Sequence, residues 1–240
     1  FDYEKINCTS KTVFKDLHIT FSSGKIHGIV GKNGSGKTTL LELIDILLLP
    51  TKGKIKIGDF TVMSNKRFDD VNKVRSQIGF LYQNPNEQFF NPTVYDELMY
   101  NLLQNNYISK NSLKRISDAL KMVGLDDSYF RRNPLDLSNG EKKRVALAFI
   151  LVYNPKILLL DEPTVGLNYQ DKDNLIKLLR MLKNKYHKTI IIASHDTDFL
   201  HRIVDDVYVL YNQEVVLFGD KYSVFKKVKE LKKYGVNTPK

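Results

Sequence analysis

The chain holds 240 residues, 42% hydrophobic and 27% charged, with a net charge of +10. That length carries one large or two small domains, and the composition is that of a soluble globular protein. No uninterrupted apolar run approaches the roughly 20 residues that span a bilayer, and the single cysteine, Cys8, excludes a disulfide within the chain. The tail from Gly219 to Lys240 has seven lysines against Asp220 and Glu230 and supplies +5 of the charge. Such an excess suits nucleic acid, an anionic membrane surface, or only a solvated lysine-rich face, and charge alone favours the last.

In chain order, "KTVFKDLHITF" and "GKIHGIVG" alternate or run apolar with glycine punctuation and predict strands. "TTLLELIDILLL" predicts a helix ending before Pro50; "GKIKIG" and "QIGFLYQ" predict short strands. From about Asn84 to Asn154 apolar residues recur at spacings of three and four, so "TVYDELMYNLLQ", "SLKRISDALKMVG" and "GEKKRVALAFILVY" predict helices. "KILLLDE" has the pattern of a buried parallel strand. A helix ("DKDNLIKLLRMLKNKY"), a buried strand ("TIIIASHD"), a helix ("TDFLHRIV") and an edge hairpin ("VYVLYNQEVVLFG") follow. Strands alternate with helices at both ends around an all-helical insert, which predicts an α/β sheet core interrupted by a helical subdomain. In the tail, "YSVFKKVKELKKYG" puts Val224, Phe225, Val228 and Leu231 on one helical face, either against the core or a partner, or on a membrane surface.

"GKNGSGKT", Gly31 to Thr38, fits G-x-x-x-x-G-K-[ST] between an apolar strand and an apolar helix, the context a phosphate loop needs. Glycines let successive backbone N–H groups turn toward phosphate oxygens, and the helix N-terminus adds partial positive charge. Lys37 can reach the β- and γ-phosphates, and the Thr38 hydroxyl can ligate Mg²⁺. Asp161 ends "KILLLD", where a carboxylate can hold that ion, and Glu162 beside it can orient or deprotonate water. His195 ends a second apolar strand, at the sheet edge where ligands bind, and can bond a γ-phosphate oxygen. Gln83 ends "IGFLYQ", where its amide can touch Mg²⁺ or the attacking water. Ser138 and Glu141 in "DLSNGEKKRVAL" form a capping-box pattern.

Taken in order, these pieces resemble an ATP-binding cassette (ABC) ATPase over the whole chain. The resemblance implies a P-loop NTPase (RecA-like) core sheet with a helical signature subdomain and antiparallel edge strands. It divides the chain into an ATPase core at 1–83 and 155–218, a signature subdomain at 84–154 and a basic C-terminal extension at 219–240. It assigns ATP to the Walker A residues Gly31, Lys32, Asn33, Gly34, Ser35, Gly36, Lys37, Thr38 and Thr39. It makes Tyr3 the ring that stacks on adenine, although an edge-strand aromatic is an equal reading. Ser138 and Gly140 would face the ATP of a partner subunit. Catalysis would fall to Glu162, His195 and Gln83, and Mg²⁺ to Thr38, Gln83 and Asp161.

"QNPNEQFFNPTVYDEL" and the basic ending look more particularly like the ATPases of energy-coupling factor (ECF) transporters, importers of vitamins or transition-metal ions. That implies a second ABC ATPase, alike or different, a transmembrane coupling protein and a small substrate-binding membrane protein as partners, on the cytoplasmic face of a membrane. Phe89 and Phe90 are then either anchors for a partner helix or core residues. Nucleic acid is not expected as a partner, because one cassette and a spacing of about 55 residues from Gln83 to Ser138 leave no room for long coiled coils. The family's LSGGQ reads LSNGE here, and its D-loop Asp is Asn168. Asn139 is expected to tolerate a positive φ, Glu141 to face solvent or the cap, and one of two composite ATP sites to be the weaker.

Overall fold

A computed structural model describes the backbone of residues 2–5, 8–64 and 71–239 and the side chains of 13–64 and 71–239. Tyr3 and Cys8 lie in described strands, but their side chains fall outside the described residues. In chain order come β1 (Asp2–Lys5), β2 (Cys8–Thr12), β3 (Ile26–Gly31), α1 (Lys37–Ile44), β4 (Lys54–Ile57), β5 (Phe60–Met63), α2 (Val71–Arg75), β6 (Ile78–Leu81), α3 (Val94–Gln104), α4 (Ser112–Met122) and α5 (Asn139–Leu151). Then follow β7 (Ile157–Asp161), α6 (Tyr169–Tyr186), β8 (Thr189–Ala193), α7 (Thr197–Ile203), β9 (Asp206–Tyr211), β10 (Glu214–Asp220), α8 (Lys221–Phe225) and α9 (Val228–Lys233).

The central sheet runs β10-β9-β3-β8-β7-β6, parallel except for β10, which pairs antiparallel with β9 at the edge. Two-stranded antiparallel ladders, β1-β2 and β4-β5, stand apart from it. Strand side chains alternate between faces. Ile190 and Ile192 enter the core built with α3 to α7, whereas Ile191 enters the one built with α1, α2, β4 and β5. This explains the unbroken apolar runs in β7 and β8: parallel strands between helical layers have no wet face.

The order β3-β8-β7-β6 decides where chemistry can occur. These neighbours are parallel, so their carboxyl ends line one edge. The strand ends and the loops leaving them carry residues 31–36, His195, Asp161 with Glu162, and Gln83.

Three elements differ from the expectation. Residues 17–21 are not a strand. Leu17, Ile19 and Phe21 are half-buried between exposed His18 and Thr20, but the carbonyls of Thr20 and of Ser22 just beyond meet side chains rather than a neighbouring strand. The Tyr208 hydroxyl donates to the Thr20 carbonyl, and the His27 ring bonds the Ser22 carbonyl.

Helix α1 stops at Ile44, well before Pro50. Ile46 adopts φ +58°, its N–H bonds the Leu43 carbonyl, and the Leu47 N–H bonds the Glu42 carbonyl at 2.9 Å, the paired closure of a Schellman end. A β-branched residue there is strained, and burial of Ile46 in the core offsets that strain. Arg75 of α2 donates to the Asp45 and Ile46 carbonyls left open by the helix end.

The tail helix is split at residues 226–227 into α8 and α9. Val224, Phe225 and Leu231 are buried in the core, whereas Val228 is exposed, contrary to the single-face expectation.

Asp45 sits where α1 ends, and burial pushes its carboxyl up to about 7 against the pull of Arg75. A raised acid costs stability as pH climbs from the unfolded value near 4, and the cost is complete above about pH 7. Asp45→Asn is therefore expected to raise the melting temperature more at pH 8 than at pH 5. Equal shifts at the two pH values would show that burial does not raise the Asp45 carboxyl and that it is already charged in the fold at pH 5.

Candidate nucleotide site

The loop after β3 curls because Gly34 and Gly36 take φ +79° and +98°, a region that penalises any side chain. At Gly36 a Cβ would also sit 2.6 Å from Phe14. Helix α1 begins here with no side-chain cap, so its first N–H groups remain open to an anion. The Ser35 hydroxyl is buried with no hydrogen-bond partner. Lys32, Asn33 and Thr38 are exposed or half-buried around the loop, and Thr39 is buried behind it.

Lys37 is 7% exposed. Its ammonium donates to the Gly31 carbonyl at 2.9 Å and the Lys32 carbonyl at 3.2 Å. Burial pulls its pKa down, while Glu162 and Asp161 pull it back up.

Across the sheet edge, the Thr38 hydroxyl donates to Asp161 Oδ2 at 2.6 Å. Asp161 Oδ1 is buried and unpartnered. Burial raises the Asp161 pKa, and the Thr38 bond opposes it. Hydroxyl, carboxylate and the Gln83 amide make a hard oxygen donor set beside a buried, unspent carboxylate oxygen, which fits Mg²⁺. Among the described residues no group of three or more His, Cys, Asp or Glu is poised for a metal. A cleft of about 540 Å³ is lined by Thr38, Gln83, Asn139, Lys143, Asp161 and Gly166, among others.

Glu162 is 6% exposed and takes φ +44°, a strained conformation for a non-glycine residue. Its carboxylate accepts from Ser194 Oγ at 3.0 Å and from the His195 N–H at 3.1 Å, and lies 2.9 Å from His195 Nδ1. The His195 ring is 63% exposed, so its other nitrogen is open to a ligand. A carboxylate held at both oxygens beside a histidine can orient a water and accept its proton.

Ser138 caps α5 as the sequence predicts. Its hydroxyl accepts from the Glu141 N–H, while the Glu141 carboxylate accepts the Ser138 N–H at 2.9 Å and its hydroxyl at 2.6 Å. Those bonds, with one from the Tyr129 hydroxyl, hold the Glu141 carboxyl down at about 2. Glu141 thus serves the cap. The expected positive φ at Asn139 is not found, because Asn139 is the first residue of α5 itself. A Cβ at Gly140 would approach Asp171 Oδ2 to 2.9 Å. Asn168 caps α6 by accepting from the Asp171 N–H, so its amide has a local role.

Phe89 and Phe90 divide between the two readings. Phe89 is buried and Phe90 is 63% exposed, its ring edge-on to Tyr100. Buried Glu97 fixes this loop by accepting from the N–H groups of Phe90 and Asn91. Sequence reasoning missed Glu97 and Lys143. Lys143 stands in register with Ala146, Leu147 and Ile150 at helical spacing, which marks it as facing inward.

The profile of the ABC transporter family matches residues 14–165, and the chain belongs to that family. It is an ATP-binding cassette with ATPase activity. The energy-coupling factor transporter ATP-binding protein EcfA3 of Oenococcus oeni is 35% identical over 239 residues, covering 100% of this chain and 83% of that protein. Among solved structures, cbiO1 of Clostridium perfringens, part of the ABC transporter complex cbiONQ, is 32% identical with a TM-score of 0.78, over 97% of this chain and 90% of that one. A dimeric ATP-binding cassette in a post-hydrolysis state with ADP and Pi is 26% identical with a TM-score of 0.82, over 92% of this chain and 95% of that one. Within its family the chain is an ATPase of the energy-coupling factor importer type.

Proposed function

We propose that this chain is the peripheral motor of an importer for a vitamin or transition-metal ion, working at the cytoplasmic face of a membrane. It pairs with a second cassette, alike or different, and drives a transmembrane coupling protein and a small substrate-binding membrane protein. The observation that carries the reading is the convergence of Lys37, Thr38, Asp161, Glu162 and His195 at one sheet edge, with Lys37, Asp161 and Glu162 buried.

In this reading residues 31–39 cradle the phosphates of ATP and Lys37 turns its ammonium to them. Thr38, Asp161 and Gln83 would hold Mg²⁺, which supplies positive charge beside the phosphate oxygens. Glu162 orients the attacking water and accepts its proton. His195, tied to Glu162 through Nδ1, offers its other ring nitrogen to the γ-phosphate. Ser138, Gly140 and the first turn of α5 meet the ATP held by the partner cassette, so closure depends on contacts that need the γ-phosphate, and hydrolysis releases them. The reading assigns the adenine contact to Tyr3. The glutamate-clamped loop at Phe90, with Tyr100, meets the coupling protein.

Affinity purification of the tagged chain from detergent-solubilised membranes of its host, with mass spectrometry, tests the assembly. A second ATPase and two small hydrophobic proteins are the expected companions. Ribosomal or nucleic-acid partners without membrane proteins would overturn the importer and leave the ATPase.

A further inference from the structure

Lys143 is a buried cation that the mechanism above does not use. It lies on α5, one and a half turns beyond the Ser138 cap, and is 5% exposed. Its ammonium donates to the Glu162 carbonyl at 2.9 Å. That carbonyl already accepts the Val165 N–H at 3.2 Å, closing the turn at 162–165, so both of its lone pairs are engaged. Glu162 holds φ +44° within this turn, and its own N–H bonds the Ala193 carbonyl at 2.8 Å. A left-handed non-glycine residue persists only where its surroundings over-determine it. The bonds at the Glu162 N–H and carbonyl are the backbone part of that determination, and Lys143 is the member contributed by α5. Lys143 also lines the cleft with Thr38, Gln83 and Asp161, so the ammonium stands at the edge of the site rather than in a remote part of the core.

We propose that Lys143 is a positioning residue for Glu162: its single buried bond locks the strained turn that carries the carboxylate to the helix that carries Ser138. The proposal rests on the catalytic reading of Glu162. A turn freed from α5 relaxes toward ordinary φ values and swings the carboxylate away from Ser194 and His195. Substrate binding, which depends on the loop after β3, is not touched.

The test uses the complex purified with its partner subunits and compares Lys143→Met, which keeps the length but loses the donor, with Lys143→Arg, which keeps a donor. Lys143→Met is expected to leave the KM for ATP within about threefold and to lower kcat by about 10²-fold, the scale of an ångström-size misplacement. Lys143→Arg is expected to recover kcat to within about tenfold of the unmodified complex. Combined with Glu162→Gln, Lys143→Met is expected to cost nothing further, because residues acting as one unit are non-additive. Unchanged kcat in Lys143→Met, multiplying losses in the double variant, or no recovery with arginine would each overturn the proposal. Should Lys143→Met fail to fold, Lys143→Leu, which also lacks a donor, carries the same comparison. Glu162→Gln at full turnover would sink the reading of Glu162; an inactive Glu162→Gln with Lys143→Met at full kcat would sink the Lys143 proposal alone.

Discussion

Glu162→Gln is expected to bind ATP with affinity within about threefold of the unmodified chain and to lose about 10³-fold in turnover, the scale of a general base. The structure makes this a clean substitution. Both oxygens of Glu162 have fixed partners in Ser194 Oγ, the His195 N–H and His195 Nδ1. A glutamine carbonyl can keep the bond from the His195 N–H. Its amide can face Ser194 Oγ and the ring nitrogen, each of which can serve as acceptor. The main-chain bonds at Glu162 and its φ do not depend on the charge. What disappears is the capacity to take a proton, while the groups assigned to ATP remain. The γ-phosphate then persists, and the closed dimer with it. Steady-state ATPase assays and analytical ultracentrifugation in ATP check both halves. Wild-type turnover, or an inactive variant that never dimerises in ATP, would remove Glu162 from the chemical step.

The parts of this site legible in the sequence are those where local pattern and chemistry coincide. Gly31 to Thr38 could be read because a tight loop between an apolar strand and helix needs glycine at the positions that adopt positive φ. Asp161 and His195 could be read because buried parallel strands are apolar throughout and a polar residue marks their end. The misreadings arise where tertiary contacts decide. Residues 17–21 alternate like a strand, yet the Thr20 carbonyl is claimed by Tyr208 of β9 and the Ser22 carbonyl just beyond by His27 of β3. The run to Leu49 looks helical, yet Arg75, 30 positions from Asp45, closes the helix end. Val228 shares a helical face with Val224 and Leu231 only if the tail helix is continuous, and the core takes the two halves separately. Asn139 invited a loop argument because the position is a glycine in the family pattern, but a capping box needs a helical residue there. Lys143 escaped notice because lysine reads as surface. Its meaning depends on the Glu162 carbonyl, 19 residues away.

Lys37→Met is expected to separate binding from stability. In the proposed site the ammonium makes charge-assisted bonds to phosphate, each worth about 1.5–3 kcal/mol. Losing one such bond predicts a fall in ATP affinity of roughly 10- to 150-fold, at 1.4 kcal/mol for each factor of ten. Stability is expected to move little, and upward if at all. The lysine is buried and its folded-state pKa is lowered, chiefly by desolvation. A lowered lysine means that the fold disfavours the charged form, so below the unfolded pKa near 10.4 the cation is a cost to folding. Methionine removes that cost and keeps much of the volume. Against it stand two lost bonds to the Gly31 and Lys32 carbonyls and the loss of a cation beside Asp161, whose pKa burial already raises. These losses are of the same order as the desolvation gained, as for buried ion pairs replaced by apolar groups. Equilibrium ATP titration and thermal melting at neutral pH, on the same preparation, decide it. Weak binding with a melting temperature within a few degrees of the unmodified chain, on the scale of about 1 kcal/mol, assigns Lys37 to the ligand. A collapse of both would make it a strut of the loop. Binding unchanged in a stable variant would move the phosphates away from this loop altogether.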